Sequence, residues 1–493
     1  MTGQPMTADQ MTGTDHLVDG WEVIIGLEVH IELNTKTKMF SPTPNAFGAE
    51  PNTLVGAVDL ALPGTLPMVN HQAIADAIKI GLATNCAISP TSHFSRKNYF
   101  YPDMPKNYQT SQYTVAICEN GYLDVDVDGQ MWRIGIERIH MEEDTGKSTH
   151  VGESGRIHGA EHSLLDYNRA GVPLLECVSR PDMRTPAQAQ AYLSALREIV
   201  AALGISDARL EEGSMRCDAN VSVHKPGTPF GVRAEVKNLN SVRSLGRAIT
   251  FEIRRQIDAI ESGETLVQET RHFNEDTGKT STMRRKETLD DYRFFPCPDL
   301  PDINPSTEWI ESIRETLPEL PAVTRARMMD QGIDAEAAGI IYSSGLTKLY
   351  DAAVAAQANP SDVAKWLTNQ VAAWQNETGR DVNELLDGTT LAELLELVTK
   401  GTLATQGAHK VLLSYLAGEG SIAELAPAHA QMSDTAELEA IIDQVIADNQ
   451  DAADKVRAGN PKAMGALMGP IMKATRGKAN PGLVNELLRA KLS

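Results

Sequence analysis

Gly26-Leu27-Glu28-Val29-His30-Ile31-Glu32-Leu33 alternates without a break between apolar and polar residues from Leu27 onward. Period two is the repeat of a β-strand, so Leu27, Val29, Ile31 and Leu33 line one face and Glu28, His30 and Glu32 the other. The apolar face is made for a core. The opposite face presents carboxylate and imidazole groups from a rigid support, and these groups are ligands for a divalent cation. The N-terminal part of the chain is therefore expected to be built on a sheet, with chemistry on one side of it.

Further segments carry the same signal. In Ser214–His224, Arg216, Asp218, Asn220 and Ser222 alternate with Cys217, Ala219, Val221 and Val223. In Val232–Lys237, Arg233, Glu235 and Lys237 oppose Val232, Ala234 and Val236. The intervening Lys225-Pro-Gly-Thr-Pro-Phe-Gly231 is a turn by composition, so the two strands pair as a hairpin. That pairing puts Asp218, Asn220, Arg233, Glu235 and Lys237 on one surface. In His140-Met-Glu-Glu-Asp-Thr-Gly-Lys-Ser-Thr-His150, Glu143 shares parity with Ile139 and Met141 and leads out of a strand into the Gly146-Lys147 turn. Acids and His hold a cation, while Arg and Lys suit the phosphates that the cation neutralises. Hard oxygen ligands favour Mg²⁺, and His30 also admits Mn²⁺. A salt-bridged sheet surface accounts for the same residues, because exposed sheet faces are polar.

Two phosphate-loop candidates fail. Gly146-Lys147-Ser148 and Gly278-Lys279-Thr280 lack the glycine five residues earlier, where Met141 and Phe273 stand. The shared Glu-Asp-Thr-Gly-Lys at 143–147 and 275–279 reads as turn chemistry. In Phe94–Lys106, Arg96 and Lys97 beside Tyr99, Phe100 and Tyr101 suit a phosphate and a stacked ring, or an aromatic loop packed on the sheet. No Ser-His-Asp or G-x-S-x-G pattern supports a nucleophilic enzyme.

The chain has 493 residues and a formal charge of −21. That length predicts two to four domains, and the charge argues against a nonspecific polyanion binder. The charge is uneven: Lys455–Ser493 holds eight Lys/Arg and one acid, Glu486, a local +7. A basic tail on an acidic body fits contact with nucleic acid at one end, or a solvated helical face. Five scattered cysteines without a C-x-x-C pair predict a reducing cytoplasm. No apolar run is long enough to span a bilayer. Residues 1–20 read as a disordered leader without signal-peptide character.

Strand signals fall at 22–33, 54–61, 122–127, 131–139, 215–224 and 232–237, with helices at 70–84, 186–203 and 243–262. Thr185 as N-cap, Pro186 at N1 and Gly204 as stop delimit the second helix. The expected class is α+β, with a mainly antiparallel sheet over 21–305. Beyond the Pro-rich 291–301, helical spacing predicts an all-α domain over 306–425 and a helical tail over 426–493. Stretch 418–434 reads as a hinge. Met464, Leu467, Met468, Ile471 and Met472 form one apolar helix face, with a kink or break expected at Gly469-Pro470.

These segments, in this order, resemble the B-subunit family of the bacterial tRNA-dependent amidotransferases. The resemblance runs from Trp21 to the end. It includes GLEVHIEL (26–33), RKNYFYPDMPKNYQTSQ (96–112), HMEEDTGKSTH (140–150), DYNRAGVPLLE (166–176), RLEEGSMRCDANVSV (209–223), AEVKNLNS (234–241), DDYRFFPCPDLP (290–301) and the tail 459–488. It implies a catalytic cradle domain with a kinase-like site, and a cytoplasmic complex with an amidase A subunit and a small C subunit. ATP would phosphorylate the side-chain carboxylate of Glu-tRNA(Gln) or Asp-tRNA(Asn), and ammonia released from glutamine by the A subunit would displace phosphate. The implied Mg²⁺ ligands are Glu28, His30, Glu143, Glu176, Asp218 and Glu235, with Glu143, Asp218 and Glu235 catalytic. Charge and position add Lys97, Arg216 and Lys237 as ATP phosphate contacts. Lys462, Lys473, Arg476 and Lys478 would meet the tRNA. The leader, the stretch 151–162 and Pro470 depart from the family pattern. A noncatalytic tRNA-binding adaptor is the alternative. A metal-dependent phosphohydrolase lacks the repeated Asp/His motifs of dinuclear sites.

Overall fold

The computed structural model describes residues 5–10, 17–151, 160–285, 289–430, 435–458, 464–475, 479 and 481–492. Much of the leader, most of 151–162, and Lys462, Arg476 and Lys478 lie outside the described residues. The chain forms two compact units, Met1–Pro321 and Ala322–Ser493.

The first unit is built on nine strands, numbered here in chain order: β1 Glu22–Glu32, β2 Ala87–Ile88, β3 Cys118–Val127, β4 Gln130–Glu143, β5 Pro173–Ser179, β6 Met215–His224, β7 Ala234–Lys237, β8 Glu269–Asn274 and β9 Lys279–Arg285. Their order across the sheet is β9-β8-β7-β6-β1-β5-β4-β3-β2. Every pair is antiparallel except β7 with β8. The first motif is thus the central strand. Val23, Ile25, Leu27, Val29 and Ile31 are almost wholly buried and join one core with residues of α1 His71–Ala83, α2 Pro186–Leu203 and α3 Val242–Glu261. Helices therefore cover one face, and Glu28, His30 and Glu32 stand on the other.

α2 begins and ends where its sequence signals stand. Thr185 and Gln188 form a reciprocal capping box, and Gly204 closes the helix with φ 67°. Thr185→Ala removes the acceptor for the Gln188 amide. The expected loss is about 1 kcal/mol of unfolding free energy in urea titration.

Several elements differ from the sequence reading. Segment 54–61 is a run of turns, not a strand. Buried Asp59 accepts from the Ser41 hydroxyl at 2.8 Å and the Gly56 amide at 2.8 Å, and pairs with buried Lys38 at 3.3 Å. β5, β8 and β9 and the hairpin Lys147–Val151/His162–Asp166 lacked clean alternation. The first unit extends beyond 305, because α4 Thr307–Arg314 packs on α1: His71 and Trp309 stack at 4.5 Å and Ile313 joins the core.

The second unit contains two helical cores. One gathers Leu349, Trp366, Leu367, Leu391, Leu394 and Val411. The other gathers Leu438, Ile442, Leu467, Ile471, Val484 and Leu488. Met464, Met468 and Met472 pack against that second core, so the apolar stripe is core. Helix Met464–Ala474 runs through Pro470: the proline removes one backbone bond, while Leu467 and Ile471 remain docked. The expected hinge at 418–434 contains helix Ile422–His429, started by a Ser421/Glu424 capping box. A helix at Ala335–Ser343 escaped the sequence reading. No helix among the described residues is long and apolar enough to cross a membrane.

Candidate metal and phosphate site

The open face of the sheet is set by register. Glu28 lies opposite Asp218, and His30 lies between Arg216 on β6 and Glu176 on β5. On β5's other side, Glu176 faces His140 of β4. Asn220 pairs with Glu235 of β7, and Glu235 with Thr270 of β8. Side chains from six adjacent strands thereby meet on one surface.

They form two groups able to hold a cation: His30 with Glu142 and Glu176, and Glu28 with Asp218 and Glu235. Within each, one ligand atom per residue lies within 4.8 Å of the others. Glu28 and His30 are two residues apart on β1, so the groups sit roughly 7 Å apart along the strand.

In the first group, His30 Nε2 is 3.7 Å from both Glu142 Oε1 and Glu176 Oε2. His140 Nε2 is 3.2 Å from Glu176 Oε2, and its Nδ1 is buried without a partner. Burial and the charge of Glu176 push the Glu142 carboxyl up. Burial also opposes ionisation of Glu176, but the charges of His140 and His30, a hydrogen bond from His140 and the charge of Lys97 outweigh it and hold this carboxyl below its usual range. Two carboxylates repelling in one buried place are what a divalent cation relieves.

In the second group, Asn220 Nδ2 donates to Glu28 Oε1 at 2.9 Å and Thr270 Oγ1 to Glu235 Oε2 at 3.0 Å. Lys237 pairs with Asp218 and lies 3.1 Å from Glu235. Burial would lower its pKa, yet the two acids hold it above the ordinary lysine value. The donor sets fit divalent cations: an all-oxygen group suits Mg²⁺, and the mixed group, with its imidazole, suits Mn²⁺ as well.

Of the sequence-selected residues, Glu28, His30, Glu176, Asp218, Glu235 and Lys237 come together here. Glu143 does not. β4 carries a register shift between Ile136 and Arg138, after which Ile139 and Met141 point into the core and His140 and Glu142 to the open face. Glu143 follows the core parity; it is 2% exposed, pairs with Lys106 and accepts from the Thr110 amide at 2.8 Å. Glu142 occupies the position that the resemblance assigned to Glu143. Arg216 is held at the rim, 2.6 Å from Asp144 and 3.6 Å from Glu32. Burial and then the nearby Asp144 raise the Glu32 carboxyl to about 7. Lys97 lies over the Tyr292 ring at 4.8 Å and biases both acids of the first group. Lys473, in the second unit, is exposed. Sequence reasoning missed Glu142 and His140. The readable signal was the spacing of Ile134, Ile136, Ile139 and Met141, which breaks period two once and marks a bulge.

Fold and site together define an α+β protein whose open sheet face carries two acid-rich groups able to hold a cation, with Lys237 and Arg216 beside them. The family model described as the GatB/GatE catalytic domain matches residues 23–311, and the GatB domain matches 348–492. Among curated relatives, the B subunit of the aspartyl/glutamyl-tRNA(Asn/Gln) amidotransferase of Thermobifida fusca (strain YX) is 49% identical, covering 97% of this chain and 95% of the relative. The B subunits of the same amidotransferase from Streptomyces coelicolor and Rhodococcus opacus (strain B4) are 49% and 48% identical, over 99% and 96% of this chain and 98% and 96% of the relatives. The chain belongs to the family of tRNA-dependent amidotransferase B subunits.

Proposed function

We propose that this chain uses ATP to activate the side-chain carboxylate of Glu-tRNA(Gln) or Asp-tRNA(Asn) for amidation. The observation that carries the reading is the pair of acid groups on one sheet face, with Lys237, Lys97 and Arg216 around them. A carboxylate is a poor acyl donor. Its oxygen attacks the γ-phosphorus of ATP, ADP leaves, and the acyl phosphate becomes the electrophile. Ammonia then attacks the carbonyl carbon and inorganic phosphate departs with the original carboxylate oxygen. Mg²⁺, bound with ATP, supplies charge neutralisation on the phosphates. Glu28, Asp218 and Glu235 would hold one such ion and His30, Glu142 and Glu176 a second, with Asn220 and Thr270 fixing two of the carboxylates. Lys237 is placed to trade an acid for a phosphate oxygen, and Lys97 to meet the incoming negative substrate. Asp144 and Glu32 orient Arg216.

The partners in this reading are an amidase subunit that releases ammonia from glutamine, a small third subunit and misacylated tRNA. Lys462, Lys473, Arg476 and Lys478 in the basic C-terminal segment would contact tRNA backbone and shape. All five cysteines are buried free thiols, which supports a reducing, cytoplasmic compartment.

Manganese titration tests the ligand assignment. Glu142→Gln is expected to weaken Mn²⁺ binding by roughly ten- to a hundredfold, and Glu143→Gln to leave it within about twofold, since that carboxylate is tied to Lys106. The reverse ranking would show that β4 presents its other face.

A further inference from the structure

β4 outruns one of its neighbours. β5 pairs with it from Ile136 to Glu143, whereas β3 follows its other edge down to Gln130. The backbone groups of 131–135 that face away from β3 therefore need other partners, because an open strand edge invites addition of a foreign strand. The chain leaving β5 supplies the first of them. Arg180 N–H donates to Gly135 O at 2.8 Å, and Asp182 Oδ2 accepts from Gly135 N–H at 3.0 Å.

The next groups along this edge are met by the start of the chain. Met6 N–H donates to Met131 O at 2.9 Å, and Met6 O accepts from Arg133 N–H at 2.7 Å. The two bonds form a parallel bridge between Met6 and Trp132. Residues 5–8 are half-buried, and the turn Ala8–Gln10 follows, with Gln10 Oε1 accepting from Thr7 N–H at 2.9 Å. Composition predicts disorder in this leader, but these contacts are made by backbone, which composition does not reveal. The edge itself is firmly set. The Arg133 guanidinium meets Asp124 with two bonds of 2.8 Å and lies over the Tyr122 ring at 3.8 Å, and Trp132 packs on the core. Further along the leader, Val18 and Trp21 exchange backbone bonds of 2.9 and 3.0 Å, and Asp19 pairs with Arg254.

We propose that 131–133 is a strand-addition site and that the leader is its built-in occupant, a strap that keeps this edge from pairing with a second copy of this chain. Strand addition draws its affinity from main-chain hydrogen bonds, so a single extended residue such as Met6 closes the edge. A second copy is the partner excluded, because it brings an identical edge that can pair about a two-fold axis.

Hydrogen exchange and light scattering on the purified full chain test the two halves of the proposal. At a dilution where every variant is monomeric, the Arg133 amide should exchange roughly tenfold faster or more once residues 1–16 are deleted. Met6→Pro, which has no amide to give Met131, should do the same, while Met6→Ala keeps both backbone bonds and the protection. At higher concentration the truncated chain and Met6→Pro should self-associate roughly tenfold more tightly than wild type and Met6→Ala. Wild-type exchange at Arg133 in both the truncated chain and Met6→Pro would show that the leader does not occupy the edge. Faster exchange with unchanged self-association would show that the strap shields nothing. Either result overturns the proposal, and Met6→Pro keeps the test open if the truncated chain fails to fold.

Discussion

Asp218→Asn or Glu28→Gln is expected to lower ATP hydrolysis triggered by misacylated tRNA by roughly a thousandfold, equivalent to about 4 kcal/mol of transition-state stabilisation. The two residues face each other across β1 and β6 and share a group with Glu235. Either change removes a negative charge where the phosphate-bound cation would sit. Asp218→Asn also takes away one of the two acids that hold the Lys237 ammonium, leaving Glu235. The tRNA affinity should hold, because the proposed basic contacts lie in the C-terminal segment. Phosphate release with and without misacylated tRNA, beside tRNA binding at fixed salt, reads both quantities. Near-normal hydrolysis in both variants would remove the second acid group from the mechanism.

The second large effect concerns the frame under that group. Glu252 on α3 is fully buried. Its carboxylate accepts from the Arg255 guanidinium at 2.5 Å, Gln256 Nε2 at 2.9 Å and Thr280 Oγ1 at 3.0 Å, and lies 3.4 Å from Arg271 Nε. Arg271 and Thr280 belong to β8 and β9, so one carboxylate ties the helix layer to the sheet edge that carries Thr270. Glu252→Ala leaves buried Arg271 with Glu269 alone among its acids and an empty space beside it. About 3–5 kcal/mol of stability should be lost, visible as a lower urea midpoint. Combining Glu252→Leu with Arg271→Met and Glu269→Gln should recover part of the loss, because the charges that pair in this network are then removed together. Equal stability of Glu252→Ala and wild type would show that the network contributes nothing.

Much of the site was legible where strands alternate. β1 and β6 have one face in the core and one open, so their sequences read period two and gave Glu28, His30, Asp218 and Asn220 their correct side. The β6–β7 hairpin followed from its turn residues. β5 was not legible this way. It lies between β1 and β4, and Pro173-Leu-Leu-Glu-Cys-Val-Ser is nearly all buried, so nothing alternates; Glu176 came from the resemblance alone. β4 misled for a different reason. Its register shift exchanges faces midway, so Glu142 and not its neighbour stands on the open face beside His30 and Glu176. Segment 54–61 misled because Val55, Val58 and Leu60 suit a strand, while the long-range pull of Lys38 on Asp59 folds them into turns.

The most direct test of the account follows an oxygen atom. Glu-tRNA(Gln) labelled with ¹⁸O in both side-chain carboxylate oxygens is supplied with glutamine, Mg²⁺ and ATP to the reconstituted complex. Activation as an acyl phosphate predicts one ¹⁸O in the inorganic phosphate for each amide formed, and neither product with Asp218→Asn. Amide formed by the wild-type complex with unlabelled phosphate would contradict the account.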